Sequence, residues 1–509
     1  MTSRPKTLGQ VFTPPWLAER LTTCLSDVDG RVLDPACGDG SLLVALCKAR
    51  IASGWSPARA VKAVEGWDRD PVAARACRAA LDALGGGDPT IHVGDALAPT
   101  SPDGLPCDER RFAAVIMNPP FVEAKRMGDE PGLRDRVRAW FPDARGAFDL
   151  YVLFLWRAMG LVLEQGSVAA ILPGKVLQAR YATDLRRAWL APPWHLRGLI
   201  DLTRCLPRPF PGTSVYPCIV HVARADGPLV ASRYLEPACE AVADHVDVAG
   251  LRMIGGEQPL FVPFPSWSAL APLFALPRLG SAAHFVAACS FHKKGLREQF
   301  ITAVRPDGEA YPYLGGASFT HQLEIEPYRF RWAGSWIRGD AWEGARAQKS
   351  PLPDREGVFA RPKLVLAQHA TRPIVAIDRE GRFVTKDTYP IGWPTDARWS
   401  LEALCAVLGS TVFAALYNTL FQGVLVGGDT YHYLPAFLHQ VPVPADLSAI
   451  DAVADDVRSL HDGEAAPDAA VVERVDQAVA RAYGVSEADR RLMIDVHLGR
   501  PAAHVAATH

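Results

Sequence analysis

Short apolar runs alternate with helical stretches between Arg31 and about Ala225. The runs are Val32–Leu33, Ala63–Val64, Ile91–Val93, Ala113–Met117, Val168–Leu172, Leu199–Ile200 and Ile219–Val222. The helical stretches include Ser41–Ile51, Pro71–Leu84, Leu150–Leu163 and Ala179–Leu190. Alternating strands and helices predict an α/β fold, with a mostly parallel sheet and helices on both faces.

The pattern changes after the turn-forming triplet Asp226–Pro228. Aromatic residues, prolines and arginines then interleave, and helical periodicity stays weak until a helix predicted over 401–421. The chain from Ala445 onward is rich in alanine, acidic and mostly helical in pattern. We therefore predict three parts: a first domain over 1–228, a second over 229–440, and a helical segment over 441–509.

Composition narrows the class of protein. The 509 residues are 49% hydrophobic with a net charge of -2, which predicts folded domains and indicates no particular partner. Ten cysteines occur without a C-x-x-C pair, which favours free thiols in a reducing compartment. Neither a metal site nor a membrane span is predicted, and the N-terminus lacks a signal-like apolar region, so we expect a cytoplasmic protein.

The first candidate site is the turn Asp34-Pro35-Ala36-Cys37-Gly38-Asp39-Gly40, between a strand and a helix. Its glycines allow a ligand to approach the backbone, and the acidic residue at the strand end can hold a ligand's amino group. A tight turn without a ligand would have the same sequence.

Acidic residues also follow the next two strands. Glu65, Asp68 and Asp70 are candidates to accept hydrogen bonds from ribose hydroxyls, and Asp68 is preferred because its strand should end there. Glu65 is expected to be a solvated acidic residue. Asp95, after the strand Ile91–Val93, is placed to accept an adenine amino group from a cofactor.

The most specific motif is Asn118-Pro119-Pro120-Phe121, which follows a buried strand. Two prolines make the loop rigid and extended. The Asn118 amide oxygen and the Pro119 carbonyl oxygen can each accept one N–H of an exocyclic amine, whose lone pair then leaves the ring plane. Phe121 would stack on an extruded base.

The order of these motifs resembles the TaqI-like adenine methyltransferases of restriction–modification systems, over Leu8 to about Ala225. The resemblance implies a Rossmann-like class I methyltransferase domain with a seven-stranded sheet, an α+β target-recognition domain after it, and S-adenosylmethionine as cofactor. It implies that Phe12, Thr13 and Pro14 of the Gln-x-x-Thr-Pro segment close over the methionine end of the cofactor. Asp34, Ala36 and Gly38 would line that end, with Asn118 beside it.

Downstream residues extend the resemblance. Asp68 would hold the cofactor's ribose and Asp95 its N6 amino group. Phe154 would contact its adenine ring, and Tyr181 would be a second aromatic stacking on the target base. Two departures are noted: Phe121 stands where tyrosine is commoner, and Ala96 stands where an aromatic can follow the acidic residue, which weakens the sandwich around adenine.

The second domain is expected to read sequence in double-stranded DNA. Basic and aromatic residues interleave in Tyr328–Trp332 and Trp336–Arg338, and Arg361–Val365 resembles a strand of target-recognition domains. A companion restriction endonuclease or another defence-system subunit is a possible partner. No fused nuclease motif is found.

Three alternatives remain open at this point. The same loop serves protein-glutamine methyltransferases, which are typically shorter, and cytosine-N4 methyltransferases, which more often have serine where Asn118 stands. A DNA-binding module with a degenerate methyltransferase fold is the third. The intact set Asp34, Gly38, Asp95 and Asn118 argues against that last reading.

Overall fold

A computed structural model of the chain describes two compact units, Met1–Phe264 and Pro265–His509. The described residues are 13–141, 148–177, 179–202, 205, 207–211, 215–236, 239–242, 267–287, 301–308, 310–314, 325–326, 329–330, 336–338, 361–367, 369–370, 372–380, 384–385, 390–421, 425–426, 430–462 and 468–494.

The first unit is built on one sheet. Its strands are β1 (Val32–Asp34), β2 (Val64–Asp68), β3 (Thr90–Val93), β4 (Phe112–Met117), β5 (Val162–Pro173), β6 (His195–Asp201), β7 (Pro217–Ala223), β8 (Val230–Glu236) and β9 (Cys239–Val242). They lie in the order β3-β2-β1-β4-β5-β7-β6-β8-β9. Strand β7 runs antiparallel to β5 and β6, and β9 antiparallel to β8, whereas the other neighbours are parallel. The predicted mostly parallel α/β sheet is therefore confirmed.

Two features of the first domain differ from expectation. All seven predicted apolar runs form strands, but β8 and β9 extend the sheet to nine. Strand β8 pairs in parallel with β6, so the predicted boundary after residue 228 lies before the end of the sheet. The division between units falls after Phe264 instead. This pairing satisfies the backbone groups of an otherwise open sheet edge, which local sequence does not reveal.

The helices of this unit are α1 (Pro15–Thr22), α2 (Ser41–Ala52), α3 (Pro57–Lys62), α4 (Pro71–Asp82), α5 (Leu133–Trp140), α6 (Tyr151–Gly160) and α7 (Thr183–Trp189). Residues of α1 to α4 share one core cluster with alternate sheet positions such as Val32 and Ile116. The intervening positions, such as Leu33 and Val115, are buried as well. Side chains alternate along a strand, so both faces of the sheet are covered.

Parallel pairing brings the carboxyl ends of the central strands to one edge. Strand β1 pairs with β2 and with β4, all in the same direction. Asp34, Asp68 and Asn118 stand at or just beyond the ends of these three strands. In open α/β sheets, ligands bind at this edge.

The second unit combines small sheets with helices. Its strands are β10 (Ala283–Val286), β11 (Ile301–Thr302), β12 (Ala310–Leu314), β13 (Ile325–Glu326), β14 (Arg329–Phe330), β15 (Trp336–Arg338), β16 (Lys363–Leu366), β17 (His369–Ala370), β18 (Val375–Asp378), β19 (Val384–Thr385), β20 (Ile391–Pro394), β21 (Leu425–Val426) and β22 (Thr430–His432). Its helices are α8 (Trp267–Leu270), α9 (Leu401–Gly409), α10 (Thr411–Leu420), α11 (Pro435–Leu438), α12 (Ser448–Asp451), α13 (Ala454–Asp462), α14 (Ala469–Ala482) and α15 (Glu487–Met493).

The helix predicted over 401–421 is broken into α9 and α10 by Ser410, which has an extended backbone and caps α10 through Phe413 N–H. The helical character predicted for 441–509 holds for the described residues. Helices α12 to α15 pack against α9 and α10 within the same unit. The predicted third segment is thus part of the second unit.

Among the described residues, no single helix has the length and apolarity to cross a membrane. Helices α9 and α10 together meet these criteria of length and composition, with a bend of 62° between them. Nearly all of their residues are buried in the second unit.

Candidate active site

The glycine turn after β1 is held by side-chain and backbone contacts. Ala36 N–H donates to Asp34 Oδ1 at 3.0 Å, and Gly38 N–H donates to Asp68 Oδ2 at 2.9 Å. Gly38 and Gly40 have φ of +56° and +89°, which favour glycine. A Cβ on Gly40 would come within 2.9 Å of the Cys77 sulfur, whereas a Cβ on Gly38 would meet no atom within 4 Å. The turn therefore packs tightly against Cys77 at Gly40 and leaves open space beside Gly38.

Two predicted acidic residues, Asp34 and Asp68, flank this turn, and both have raised pKa values. Burial raises the pKa of Asp34 to about 8, and its side chain is almost wholly inaccessible. Burial also raises the pKa of Asp68, although N–H donors from Asp70 and Gly38 oppose the shift. A buried carboxyl that accepts few hydrogen bonds gains most from a cationic ligand.

A pocket joins Asp95 and Phe154, two residues predicted to contact the cofactor's adenine. Its wall consists of Arg69, Asp95, Leu97, Pro120, Val122, Glu130, Leu133, Leu150 and Phe154. Asp95 Oδ1 accepts Leu97 N–H at 3.0 Å, which fixes the carboxylate at the strand end. The wall is mostly apolar, with Arg69, Asp95 and Glu130 as its charged residues, and the Asp95 carboxylate suits a flat ring that carries an amino group.

The loop Asn118–Phe121 begins directly after β4. Asn118 Nδ2 donates to Thr13 Oγ1 at 3.0 Å, which joins this loop to the predicted Thr-Pro segment. The two ends of an amide point apart, so this bond directs the Asn118 oxygen away from Thr13. The Phe121 ring contacts Phe210 edge to face, with 6.0 Å between ring centroids. The sequence did not indicate Phe210.

Tyr181, predicted to stack on a target base, lies in a polar cluster with Asp149, Tyr151, Lys175 and Glu123. Its hydroxyl donates to Asp149 Oδ2 at 2.8 Å and lies 3.1 Å from the Tyr151 hydroxyl. Asp149 also pairs with Lys175 at 2.6 Å and accepts Ala124 N–H at 3.0 Å. Burial beside this carboxylate raises the pKa of Tyr181 above its usual range. Its role in stacking remains a prediction.

The other predicted residues are placed as follows. Pro14 precedes α1 as its N-cap, and Ala96 is buried behind the loop that carries Asp95. Asp70 caps α4 through Val72 N–H at 2.8 Å. Phe12 lies outside the described residues.

The expectation for Glu65 is wrong. Its side chain is fully buried, pairs with Arg31 and Arg110, and accepts Trp67 Nε1–H at 2.7 Å. Side chains alternate along β2, so Glu65 and Asp68, three positions apart, point to opposite faces of the sheet and have different neighbours.

Sequence reasoning missed Arg69, Glu130 and Leu133 in the pocket wall. Arg69 follows Asp68 directly, and this adjacency was the available signal. Glu130 and Leu133 lie in a segment without a motif, and only the tertiary fold brings them to the pocket.

In the second unit, the Arg361–Val365 motif overlaps strand β16, Lys363–Leu366, which is buried throughout. Lys363 is fully buried and forms an ion pair with Asp378 on the adjacent strand. Lys363 is therefore a structural residue, and the guanidinium of Arg361 lies 4.9 Å from the centre of the Trp393 ring. Of the motif Tyr328–Trp332, only Arg329–Phe330 lies among the described residues, as β14, and Trp336–Arg338 forms β15.

In the described ranges, no group of three or more histidine, cysteine or carboxylate side chains is arranged so that it could hold a metal ion. Eight of the ten cysteines can be assessed in the described ranges, and all eight are free thiols.

Comparison with known proteins finds similarity to restriction–modification methylases over part of the chain. Residues 90–205 match the family described as the Eco57I restriction-modification methylase. The Type II methyltransferase M.BstVI of Geobacillus stearothermophilus is 29% identical over 97 residues, which are 19% of this chain and 17% of that relative. The matched segment, which is similar to restriction–modification methylases, includes Asp95, Asn118–Phe121, Phe154 and Tyr181.

The fold extends beyond this segment. The Type IIL restriction-modification enzyme MmeI, solved in complex with DNA, has a TM-score of 0.61 and 13% identity to this chain. The similarity covers 95% of this chain and 76% of MmeI. The fold of this chain is therefore similar to that of MmeI in both units, at low sequence identity.

Proposed function

We propose that this chain is an S-adenosylmethionine-dependent methyltransferase that methylates adenine N6 in double-stranded DNA, with the TaqI-like order of motifs. The reaction would be site-specific and serve a restriction–modification or another phage-defence system. The observation that carries the proposal is the Asn118–Phe121 loop at the carboxyl edge of the sheet, with the Asn118 amide oriented by Thr13.

The residues present fit the proposed cofactor. The open space before Gly38 and the buried carboxyl of Asp34 suit the methionine end, whose ammonium would stabilise the ionised Asp34. Asp68 stands at the end of β2 for the ribose. The pocket with Asp95 and Phe154 suits adenine. S-adenosylmethionine, when bound, supplies an electrophilic methyl group.

The loop residues account for activation of the target amine. An amine conjugated to an aromatic ring is a poor nucleophile because its lone pair is delocalised. The Asn118 amide oxygen and the Pro119 carbonyl oxygen would accept its two N–H groups, which turns the lone pair out of the ring plane. Pro119 and Pro120 keep the acceptors rigid, so catalysis rests on positioning and electrostatics. Phe121 would stack on the extruded base, with Tyr181 as the second aromatic.

The remaining assignments follow from the same function. The second unit would select the DNA sequence, since MmeI, whose fold covers both units, was solved in complex with DNA. A cognate endonuclease would be a separate partner. The free thiols suit a cytoplasmic location, and we expect no metal requirement.

The test is incubation of the full chain with methyl-labelled cofactor and duplex DNA, followed by digestion to nucleosides. We expect labelled N6-methyldeoxyadenosine, and its yield should not change when a chelator is added. Labelled N4-methyldeoxycytidine would show that the target base is cytosine and not adenine. Label found on protein glutamine, or on no substrate, would contradict the proposal.

A further inference from the structure

The pocket proposed for the cofactor's adenosyl group, which Asp95 and Phe154 line, also has an outer wall that no sequence motif predicts. Glu130 and Leu133 line it, and both belong to the segment Ala124–Trp140, which contains a 3-10 turn and α5. Leu133 is buried, so α5 contributes an apolar surface to the pocket. The segment follows the Asn118–Phe121 loop closely in sequence, which links the pocket wall to that loop.

A bidentate ion pair closes this wall. Arg69 Nη1 donates to Glu130 Oε1 at 2.9 Å, and Arg69 Nη2 donates to Glu130 Oε2 at 2.7 Å. Arg136 donates to Glu130 Oε1 at 2.7 Å from the same segment. The Glu130 side chain is 23% exposed and that of Arg69 40%, so solvent screens the pair only in part. Two parallel N–H···O bonds fix the geometry more firmly than a single contact.

The start of the segment is fixed independently. Ala124 N–H donates to Asp149, and Arg134 Nη2 donates to Ala124 O at 3.1 Å. The Arg69–Glu130 pair connects the middle of the segment to the loop after β2, directly beside Asp68. The wall is thus anchored at its base and closed by an ion pair across the pocket.

The pocket is small when this pair is formed. It holds about 40 Å³ of free space, whereas a cavity of roughly 150 Å³ accommodates benzene. A purine is larger than benzene, so the outer wall has to move before a nucleoside can enter. The base of the segment is tied to Asp149, and the Arg69–Glu130 pair joins its middle to the opposite wall, so opening of this pair would widen the pocket.

We propose that Arg69 and Glu130 form a clasp that closes the segment Ala124–Trp140 over the adenosyl group of the cofactor. This inference rests on the proposed function, since it assigns residues to the nucleoside end of the same pocket. The clasp opens for entry and re-forms over the bound nucleoside. It therefore limits both association and dissociation of the ligand.

The experiment measures the exchange of tritiated S-adenosylmethionine and the affinity for adenosine on the full chain. Glu130→Gln and Arg69→Met each weaken the clasp. We expect each to speed release of the labelled cofactor by about fivefold, the scale of a partly exposed bidentate pair. Association should also be faster. The loss of retention should be seen equally with adenosine, because the clasp covers only the nucleoside.

Asp129→Asn is the matched control. Asp129 is adjacent to Glu130, its pair with Arg126 is exposed, and it does not line the pocket. This variant should exchange ligand like the wild type, and all variants should keep the wild-type melting temperature. Raising the ionic strength should speed release from the wild type toward the rate of Glu130→Gln.

The outcomes separate the two proposals. If the wild type binds neither S-adenosylmethionine nor adenosine, the proposed function itself fails. If the wild type binds both and the two clasp variants exchange them at the wild-type rate, only the clasp is overturned. Faster exchange in Asp129→Asn as well would also overturn it, because the effect would then belong to the charge of the segment.

Discussion

Asn118 and Thr13 are 105 positions apart in the sequence and share a hydrogen bond at the centre of the proposed site. The carboxylates of Asp34 and Asp68 stand at the ends of β1 and β2, and that of Asp95 lies just beyond β3, as their spacing predicts. The protonation of Asp34 and Asp68 is a separate matter, because burial raises the pKa of each. At the scale of single residues, the chemistry is therefore carried by residue type and adjusted by surroundings.

Asn118→Ala should lower the rate of methyl transfer by about a hundredfold or more, because it removes an acceptor that acts most strongly in the transition state. Affinity for DNA and cofactor should change little. Single-turnover methylation with both substrates saturating measures this rate. Asn118→Asp should be milder, since a carboxylate still accepts.

Phe121→Tyr is the matched control for that measurement, because it keeps the ring and should retain most activity. A wild-type rate for Asn118→Ala would show that the catalytic loop is misassigned.

Asp34 should release a proton when the cofactor binds. With a pKa of about 8 it is protonated at neutral pH, and a ligand ammonium favours its ionised form. Cofactor affinity should therefore rise between pH 6 and 7.5. Calorimetry at about pH 6.5, in buffers that differ in ionisation enthalpy, measures the proton directly. Asp34→Asn should bind more weakly and release none.

The same shift affects the ligand-free protein. The pKa of Asp34 is raised from 3.8 to about 8, so folding favours its protonated form. The free energy of unfolding should fall as the pH rises from 3.8 to about 8. The stability that depends on protonated Asp34 should be fully present only below pH 3.8. If Asp34→Asn keeps the wild-type pH dependence, Asp34 is not the group responsible.

Helices and strands follow their sequence patterns closely but not at every junction. The predicted helix 401–421 breaks at Ser410, because Asp476 accepts Thr411 N–H at 2.6 Å and Arg490 pairs with that carboxylate. The N-terminus of α10 is thus satisfied by a distant helix. The resemblance of Arg361–Val365 to a strand of target-recognition domains predicted a strand where β16 lies, and the charge opposite Lys363 is supplied by Asp378 of β18.

Lys363→Met should destabilise the second unit by about 3–5 kcal/mol, because it leaves Asp378 buried without its partner. Chemical denaturation measures the change. The double variant Lys363→Met/Asp378→Leu should recover most of the stability, since neither charge remains. If Lys363→Met instead keeps full stability and loses DNA affinity, Lys363 contacts DNA and the structural assignment is wrong.

At the scale of the whole molecule, two units are linked in one chain and match a single known fold. A nine-stranded sheet carries the proposed chemistry, and the second unit carries the interleaved basic and aromatic segments. Under the proposed function, the first unit holds the cofactor and the reacting base, and the second unit selects the DNA site.

A protein that ends at Phe264 should therefore bind S-adenosylmethionine with nearly wild-type affinity and lose site-specific methylation. Calorimetry and nucleoside analysis measure the two properties on one preparation. Cofactor binding serves as the control for folding. Full site-specific methylation by this shortened protein would contradict the role proposed for the second unit.

The sequence by itself determined the α/β pattern, the seven central strands and the identity of the chemical groups at their ends. These features are local, because strand periodicity, glycine turns and the Asn-Pro-Pro-Phe loop act over a few residues. Only the tertiary structure decided the pairing of β8 with β6, the buried role of Glu65 and the pKa of Asp34. It also decided the meeting of Arg69 with Glu130. Each of these depends on burial or on contacts between distant segments, which no local pattern encodes.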